Sequence, residues 1–307
     1  MQSRKIGSLE VSVVGLGTNN FGMGMAANDV DRIVGAALGE GVNFFDTSDS
    51  YGDSEERLGR ALGNHRDDVI VATKFGSPVA GQEDTGGAKP DYVRRALDAS
   101  LRRLGTDRID LYQIHRPDET TPIGDTLAVL DEAVKAGKVR EIGCSNFSSS
   151  QLREAHASAG DGAHFVSVQN HYNLLHRADD AEVLPLCKEL GLAYLPYFPL
   201  ESGLLTGKYR KGDEPADGTR LQRWGAGYAA RVLSEENLDK VETLTAYANK
   251  HDHSILELAF AWLLANPLIS SVIAGATKID QVKSNVAASG WILSPEEVAE
   301  VNALLND

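Results

Sequence analysis

The chain has 307 residues, 42% of them hydrophobic and 24% charged, which is the profile of a folded globular protein with enough apolar material for a large core and excludes intrinsic disorder. A formal net charge of -14 and a pI near 5.0, with no Lys/Arg run and no zinc-finger spacing, argue against a nucleic-acid partner. Two cysteines, Cys144 and Cys187, supply neither a disulfide framework nor a four-cysteine metal site, and both are expected as reduced thiols.

The first residues lack the apolar core of a signal peptide, and no uncharged apolar run is long enough to span a bilayer, so a cytosolic location away from membranes is expected. Ile6, Leu9, Val11 and Val13, arranged around Gly7 and Ser8, predict a hairpin over 3–13 that would cover one end of the domain. Residues 13–18 read as a first buried strand. Asn28 or Asp29 would cap the next helix, whose apolar stripe includes Val30, Ile33, Val34, Ala37 and Leu38.

The unit then repeats. A second strand over 42–45 ends at Asp46, before a helix over 54–62 that Gly63 stops. A third over 69–73 ends at Lys74, before a glycine-rich loop and a helix over 90–104. A fourth over 109–114 ends at His115, before a helix over 123–136 stopped by Gly137. Residues 139–143 make a fifth strand, and Ser148 with Gln151 forms a capping box for the helix after it. The sixth strand, 165–168, precedes a helix over 181–190; the seventh begins at 193–195 and is broken by Pro196 and Pro199. Residues 201–233, rich in glycine and basic side chains, read as a long functional loop. Helices over 235–250 and 254–266 lead to an eighth strand at 271–274 and a helix over 278–288. Ser294, Pro295 and Glu297 then start a last helix through 305.

This alternation argues for one (β/α)8 TIM barrel over 1–307, with an N-terminal hairpin lid and an extra C-terminal helix. The competing fold is an open dinucleotide-binding sheet. Its fingerprint fails in Gly15-Leu16-Gly17-Thr18-Asn19-Asn20, because Asn20 stands where close helix packing needs Gly or Ala, and 18–28 does not open directly into a helix.

Ligands of parallel barrels bind at the carboxyl ends of the strands, and there Asp46, Lys74 and His115 would meet Tyr51 from the adjoining loop. A tyrosine hydroxyl titrates near ~10, too weak an acid to protonate an alkoxide efficiently at neutrality, and a nearby ammonium lowers that value. Lys74 could supply the charge, Asp46 could keep Lys74 protonated and aimed, and His115 could donate a hydrogen bond to a carbonyl oxygen.

With these residues the sequence resembles the aldo-keto reductase superfamily, from about residue 15 to residue 285. The matching motifs are Gly15-Leu16-Gly17-Thr18, Phe45-Asp46 through Tyr51-Gly52, Ala72-Thr73-Lys74-Phe75, Gln113-Ile114-His115-Arg116, Gly143-Cys144-Ser145-Asn146-Phe147, Gln169-Asn170, and Gly203-Leu204-Leu205-Thr206-Gly207-Lys208-Tyr209. The resemblance implies a reductase of a small carbonyl compound in which Tyr51 is the general acid, Lys74 lowers its pKa, Asp46 pairs with Lys74 and His115 orients the carbonyl. It also implies a nicotinamide cofactor across the barrel mouth. Ser145, Asn146 and Gln169 would hold the carboxamide, Tyr197 would stack on the ring, and Gly17 and Thr18 would also touch the cofactor. Leu200, Ser202, Gly203, Leu204 and Lys208 match the pyrophosphate loop, and Gly275, Thr277, Lys278, Gln281 and Asn285 match the adenine-ribose end. Residues 207–223 agree, with five basic side chains against three acidic ones in a chain of -14.

Many of these reductases flank the 2′-phosphate with a lysine and an arginine, where this chain has Gly275 and Gln281. Thr277 and Lys278 are then the expected donors, and NADPH is expected to be preferred over NADH. The competing functions are a Schiff-base lyase using Lys74 and a non-catalytic, cofactor-retaining regulatory subunit. Asn19, Asn20, Phe21, Arg116 and Trp224 would select the substrate, Trp224 having packing of the loop as its alternative role. His171, His176, His251 and His253 read as surface or loop residues, and His251 and His253 lack two further ligands for a metal. Cys144 reads as a small buried residue.

Overall fold

The computed structural model describes residues 1–215 and 217–305. An antiparallel hairpin, β1 (Ser3–Ile6) and β2 (Leu9–Ser12), pairs Ser3 with Ser12 and Ile6 with Leu9. Eight parallel strands come next: β3 (Val14–Gly17), β4 (Phe44–Asp46), β5 (Ile70–Phe75), β6 (Ile109–Ile114), β7 (Val139–Ser145), β8 (Phe165–His171), β9 (Ala193–Tyr197) and β10 (Val272–Gly275). They pair in the order β10-β3-β4-β5-β6-β7-β8-β9. Two hydrogen bonds close the ring on the β9 side: the Tyr194 N–H donates to the Leu268 carbonyl at 2.8 Å, and the Ser270 N–H donates to the Tyr194 carbonyl at 3.3 Å. The result is a nearly closed (β/α)8 barrel.

Helices α1 (Ala27–Gly39), α2 (Ser54–Leu62), α3 (Pro90–Leu104), α4 (Ile123–Lys135), α5 (Ser149–Ala159) and α6 (Val183–Leu190) alternate with the strands. After β9 come α7 (Arg220–Arg223), α8 (Ala226–Val232), α9 (Glu235–Lys250) and α10 (Ile255–Ala265), and after β10 come α11 (Ile279–Ala288) and α12 (Pro295–Ala303). Barrel strands are covered on both faces, which is why they read as unbroken apolar runs; β5 and β6 are buried at every position. Phe44, Ile70, Ala72, Leu111, Leu195 and Ile273 form an inner cluster with Ile6, Leu9 and Val11 of the hairpin. The hairpin plugs the amino end of the barrel, and Gly7 lies against Glu141 and Val166 at the start of β7 and β8. No helix among the described residues is long and apolar enough to cross a membrane.

Several boundaries differ from expectation. Pro196 does not break β9; it pairs with Asn170 of β8. Its missing N–H lies on the same side as that of Tyr194, toward the seam with β10, where the ladder lapses and no donor is needed. Lys74 lies inside β5 rather than beyond it, because its ammonium is buried with a partner. Helix α1 begins at Ala27 on Ala26, without a side-chain cap from Asn28 or Asp29, and α12 ends at Ala303. Within 201–233 the chain forms a tight turn over Glu201–Thr206 and the short helices α7 and α8. The capping boxes of Ser148 with Gln151 and Ser294 with Glu297 are both made.

Candidate active site

Four of the predicted side chains meet at the carboxyl end of β4, β5 and β6. The Lys74 Nζ donates to Asp46 Oδ2 at 2.6 Å and to the Thr47 carbonyl at 2.9 Å, and it stands 5.2 Å from the centroid of the Tyr51 ring. Tyr51 and His115 meet edge to face, with centroids 5.7 Å apart. The other oxygen of Asp46 accepts from Gln169 Nε2 at 2.9 Å and from Gln113 Nε2 at 3.4 Å. A buried ion pair needs such extra donors to offset desolvation.

The loop carrying Tyr51 is pinned from two sides. The Asp49 N–H donates to the Lys74 carbonyl at 3.1 Å, and the Thr18 hydroxyl donates to the Asp46 carbonyl at 3.0 Å. Opposite lies the turn Asn19–Gly22, where a Cβ on Gly22 would come within 1.6 Å of the Tyr51 carbonyl oxygen. Glycine is required there for the two segments to touch.

Burial pushes the Tyr51 hydroxyl above its ordinary value, while the charge and hydrogen bond of Lys74 pull it down. Lys74 is held above the usual lysine range: burial opposes its charge most, and Asp46 and Tyr51 together outweigh burial. His115 is lowered to about 3 by burial, then by the charges of Lys74 and Arg116. Its ring is therefore neutral at physiological pH, with Nδ1 at 3.0 Å from Ser48 Oγ and 3.4 Å from Ser50 Oγ.

From this cluster a cavity of about 870 Å³ runs along the barrel mouth, past the turn at Ser202 and Gly203, to Gly275 and Asn285. That volume falls in the range of small-molecule and cofactor sites. Gly17, Ser145, Asn146, Gln169, Tyr197, Leu200, Ser202, Gly203, Lys208, Gly275, Thr277, Lys278, Gln281 and Asn285 all line it. Thr18 lines it too, with its hydroxyl buried between the Asp46 carbonyl and Ser54 Oγ. One expected contact is placed differently: Leu204 is fully buried in the core outside the cavity lining.

The polar groups beside Tyr51 are tied to one another. The Ser145 Oγ donates to the Gln169 carbonyl at 2.6 Å, Asn146 Nδ2 donates to the His115 carbonyl at 2.9 Å, and the Tyr197 hydroxyl donates to Asn146 Oδ1 at 2.8 Å. Gln281 Oε1 accepts from the Thr277 N–H at 2.7 Å and from the Lys278 N–H at 3.2 Å, so it shapes the first turn of α11. The stretch bordering the cavity after β9 is built from uncommon backbone: Phe198, Glu201 and Ser202 have φ of 51°, 40° and 55°, and a Cβ on Gly203 would meet Lys208 Nζ at 2.7 Å. Such left-handed non-glycine residues persist only where neighbours over-determine them.

Their anchor was not legible in the sequence. The buried Glu201 carboxylate accepts from Asn173 Nδ2 at 2.6 Å and lies 2.8 Å from His171 Nε2. Burial works to raise its pKa, but the bonds from His171 and Asn173 outweigh burial and lower it. His171 is thus a half-buried strand residue: it ends β8, and it stacks on His176 at 3.9 Å and on Tyr197 at 5.4 Å. Thr206, Arg220 and Arg223 also line the cavity. The Arg220 guanidinium lies 4.9 Å from the Phe198 ring and 5.4 Å from that of Trp224, and Arg223 Nη2 donates to Asn20 Oδ1 at 3.2 Å, strapping α7 across the mouth. Trp224 both lines the cavity and packs against Phe198 and Tyr228.

Known proteins match over the whole length. The chain is 36% identical to a probable voltage-gated potassium channel subunit beta from Oryza sativa subsp. japonica, over 99% of this chain and 97% of that protein. It is 35% identical to the aldo-keto reductase str7 of Strobilurus tenacellus and 32% identical to the L-glyceraldehyde 3-phosphate reductase of Escherichia coli O157:H7, over 100% of this chain and 93% of each. A family model described as the Aldo/keto reductase family matches residues 13–306, and on that match, with this barrel, the chain belongs to the aldo/keto reductase family.

Proposed function

We propose that the chain is an NADPH-dependent reductase that converts an aldehyde or ketone to the alcohol, with Tyr51 as general acid. One observation carries the reading: Lys74 is a fully buried ammonium held by Asp46 at 2.6 Å and set against Tyr51. NADPH, when bound, supplies the hydride. Tyr51 gives its hydroxyl proton to the carbonyl oxygen as negative charge builds there, and Lys74 stabilises the phenolate left behind. Neutral His115 aligns the carbonyl by a hydrogen bond from its ring.

The cavity fits such a cofactor in its donor chemistry. Lys208 beside Gly203 and the left-handed turn at Ser202 offer a cation and exposed backbone to a pyrophosphate. Thr277 and Lys278 border the far end, and Lys278 is the proposed reader of the 2′-phosphate. Ser145, Asn146 and Tyr197 border the nicotinamide end.

The lyase reading fails on Lys74 itself. A Schiff-base amine must lose its proton and reach substrate, whereas this one is fully buried, held charged and donating to two oxygens. The rice relative is named as a channel subunit, which favours a second reading of this chain, a non-catalytic, cofactor-binding regulatory subunit. The two separate on Tyr51→Phe. For an enzyme, oxidation of NADPH by a panel of aldehydes and ketones, followed at the reduced-nicotinamide band, should fall ~10²–10⁴-fold while NADPH binding persists. A wild type that binds NADPH and turns over no carbonyl would favour the subunit.

A further inference from the structure

We propose that Asp49 and Ser48 are positioning residues that set which ring nitrogen of His115 carries the proton. The inference rests on the reading of His115 as the group that aligns the carbonyl.

Asp49 is 4% exposed and, among the described residues, makes no ion pair within 4.0 Å. Its Oδ1 accepts from Ser48 Oγ at 3.2 Å and its Oδ2 from the Tyr92 hydroxyl at 3.3 Å. Ser48 Oγ also accepts from the Ser50 N–H at 3.2 Å and lies 3.0 Å from His115 Nδ1. A serine hydroxyl has one proton to give. Ser50 Oγ, 3.0 Å from Ser48 Oγ, is a neutral competitor for that proton; when Asp49 is a carboxylate, the charged acceptor takes the hydrogen bond in preference, so the Ser48 oxygen can only accept from an Nδ1–H. His115 Nε2 is then bare and can accept but not donate. When Asp49 is a carboxylic acid it can donate to Ser48, whose own proton turns to Nδ1; Nε2 then carries the hydrogen that a carbonyl oxygen needs. Ser50 Oγ, 3.4 Å from Nδ1, is the longer alternative.

The groups facing Asp49 are Glu55 of α2, Tyr92 and Arg103 of α3, Tyr112 of β6 and the Lys74 carbonyl of β5. Burial, then Glu55, raise Asp49 to about 7 against the opposing pulls of Ser48, Arg103 and Tyr92. Among the described residues the Tyr112 hydroxyl has no hydrogen-bond partner, and it is itself raised by burial and by Asp49. Around His115, burial, Lys74 and Arg116 hold the ring neutral, and Tyr51 stands edge-on. A change of pH near neutrality therefore alters its tautomer rather than its charge.

The test is the ¹⁵N spectrum of the imidazoles in the full chain, from about pH 5.5 to about 8.5, with His115 assigned by loss of its signal in His115→Gln. The wild type should pass from Nε2–H at low pH to Nδ1–H above about 7, and Asp49→Asn or Ser48→Ala should abolish the change. In parallel, kcat/KM of the wild type should fall about tenfold per pH unit above about 7, a limb that Asp49→Asn removes. A single tautomer across the range in the wild type, or a limb that Asp49→Asn retains, overturns the proposal. Failure of the reductase reading shows separately, as a wild type that binds NADPH and turns over no carbonyl, and leaves the tautomer measurement interpretable.

Discussion

Lys74 has no exposed surface, and a charge placed so deep survives only because Asp46 and the Thr47 carbonyl both accept hydrogen bonds from it. If Tyr51 and Lys74 act on one proton-transfer step, their losses should not add. The turnover of Tyr51→Phe/Lys74→Met should lie close to that of the worse single variant, and a product of the two losses would mean independent roles. Lys278 lies at the other end of the cavity, where it is exposed and where Gln281 orders the turn beneath it. A charge-assisted contact to the 2′-phosphate is worth ~1.5–3 kcal/mol, so Lys278→Ala should weaken NADPH roughly tenfold or more and leave NADH nearly unchanged. Equal weakening of both coenzymes, titrated by fluorescence, would remove Lys278 from phosphate recognition. Asp46, Lys74 and His115 were legible because each interrupts or ends an apolar strand. Glu201, His171, Asn173 and Asp49 were not, since they become buried polar partners only when separate segments of the chain fold together.

The turn Asn19–Gly22 and the loop behind β4 touch backbone to backbone, and that contact fixes where Tyr51 stands. Gly22→Ala would force a Cβ to within 1.6 Å of the Tyr51 carbonyl oxygen, so one segment must move. A displacement of about 1 Å at a reacting group can cost ~10²-fold, and the expected outcome is a large fall in kcat with cofactor affinity largely kept. Unchanged kcat would show that the turn yields instead of the loop. Elements were legible where local chemistry alone decides them: α1 follows from its apolar stripe, and α2 from the glycine that ends it, Gly63, with positive φ. They were illegible where tertiary contact extends them. β8 continues through Gln169, Asn170 and His171 because those polar side chains find partners in Asp46, Asp179 and Glu201, and apolar periodicity carries no trace of that.

At the scale of the molecule, the barrel separates stability from chemistry along its axis. The hairpin at the amino end buries Ile6, Leu9 and Val11 completely against strand residues of the interior, while the cavity opens beyond the carboxyl ends. Arg4 ties the same hairpin to the end of α10 and the loop after it, donating to the carbonyls of Leu264 at 2.6 Å, Asn266 at 2.9 Å and Ile269 at 2.5 Å. That loop holds Ile269 and Ser270, where β9 closes on the β10 side, so the hairpin also braces the weakest seam of the barrel. Leu9→Ala leaves a cavity that close packing cannot refill, at a cost of ~2–5 kcal/mol. The melting temperature should fall by several degrees, yet kcat/KM and NADPH affinity measured well below the melt should match the wild type, since among the described residues Ile273 alone both lines the mouth and belongs to the hairpin cluster. Residues at the amino end of such a barrel serve stability, and those at the carboxyl end serve function. A Leu9→Ala protein that melts normally but binds NADPH poorly would show that the plug and the mouth are coupled through the strands, and the separation would then be wrong for this chain.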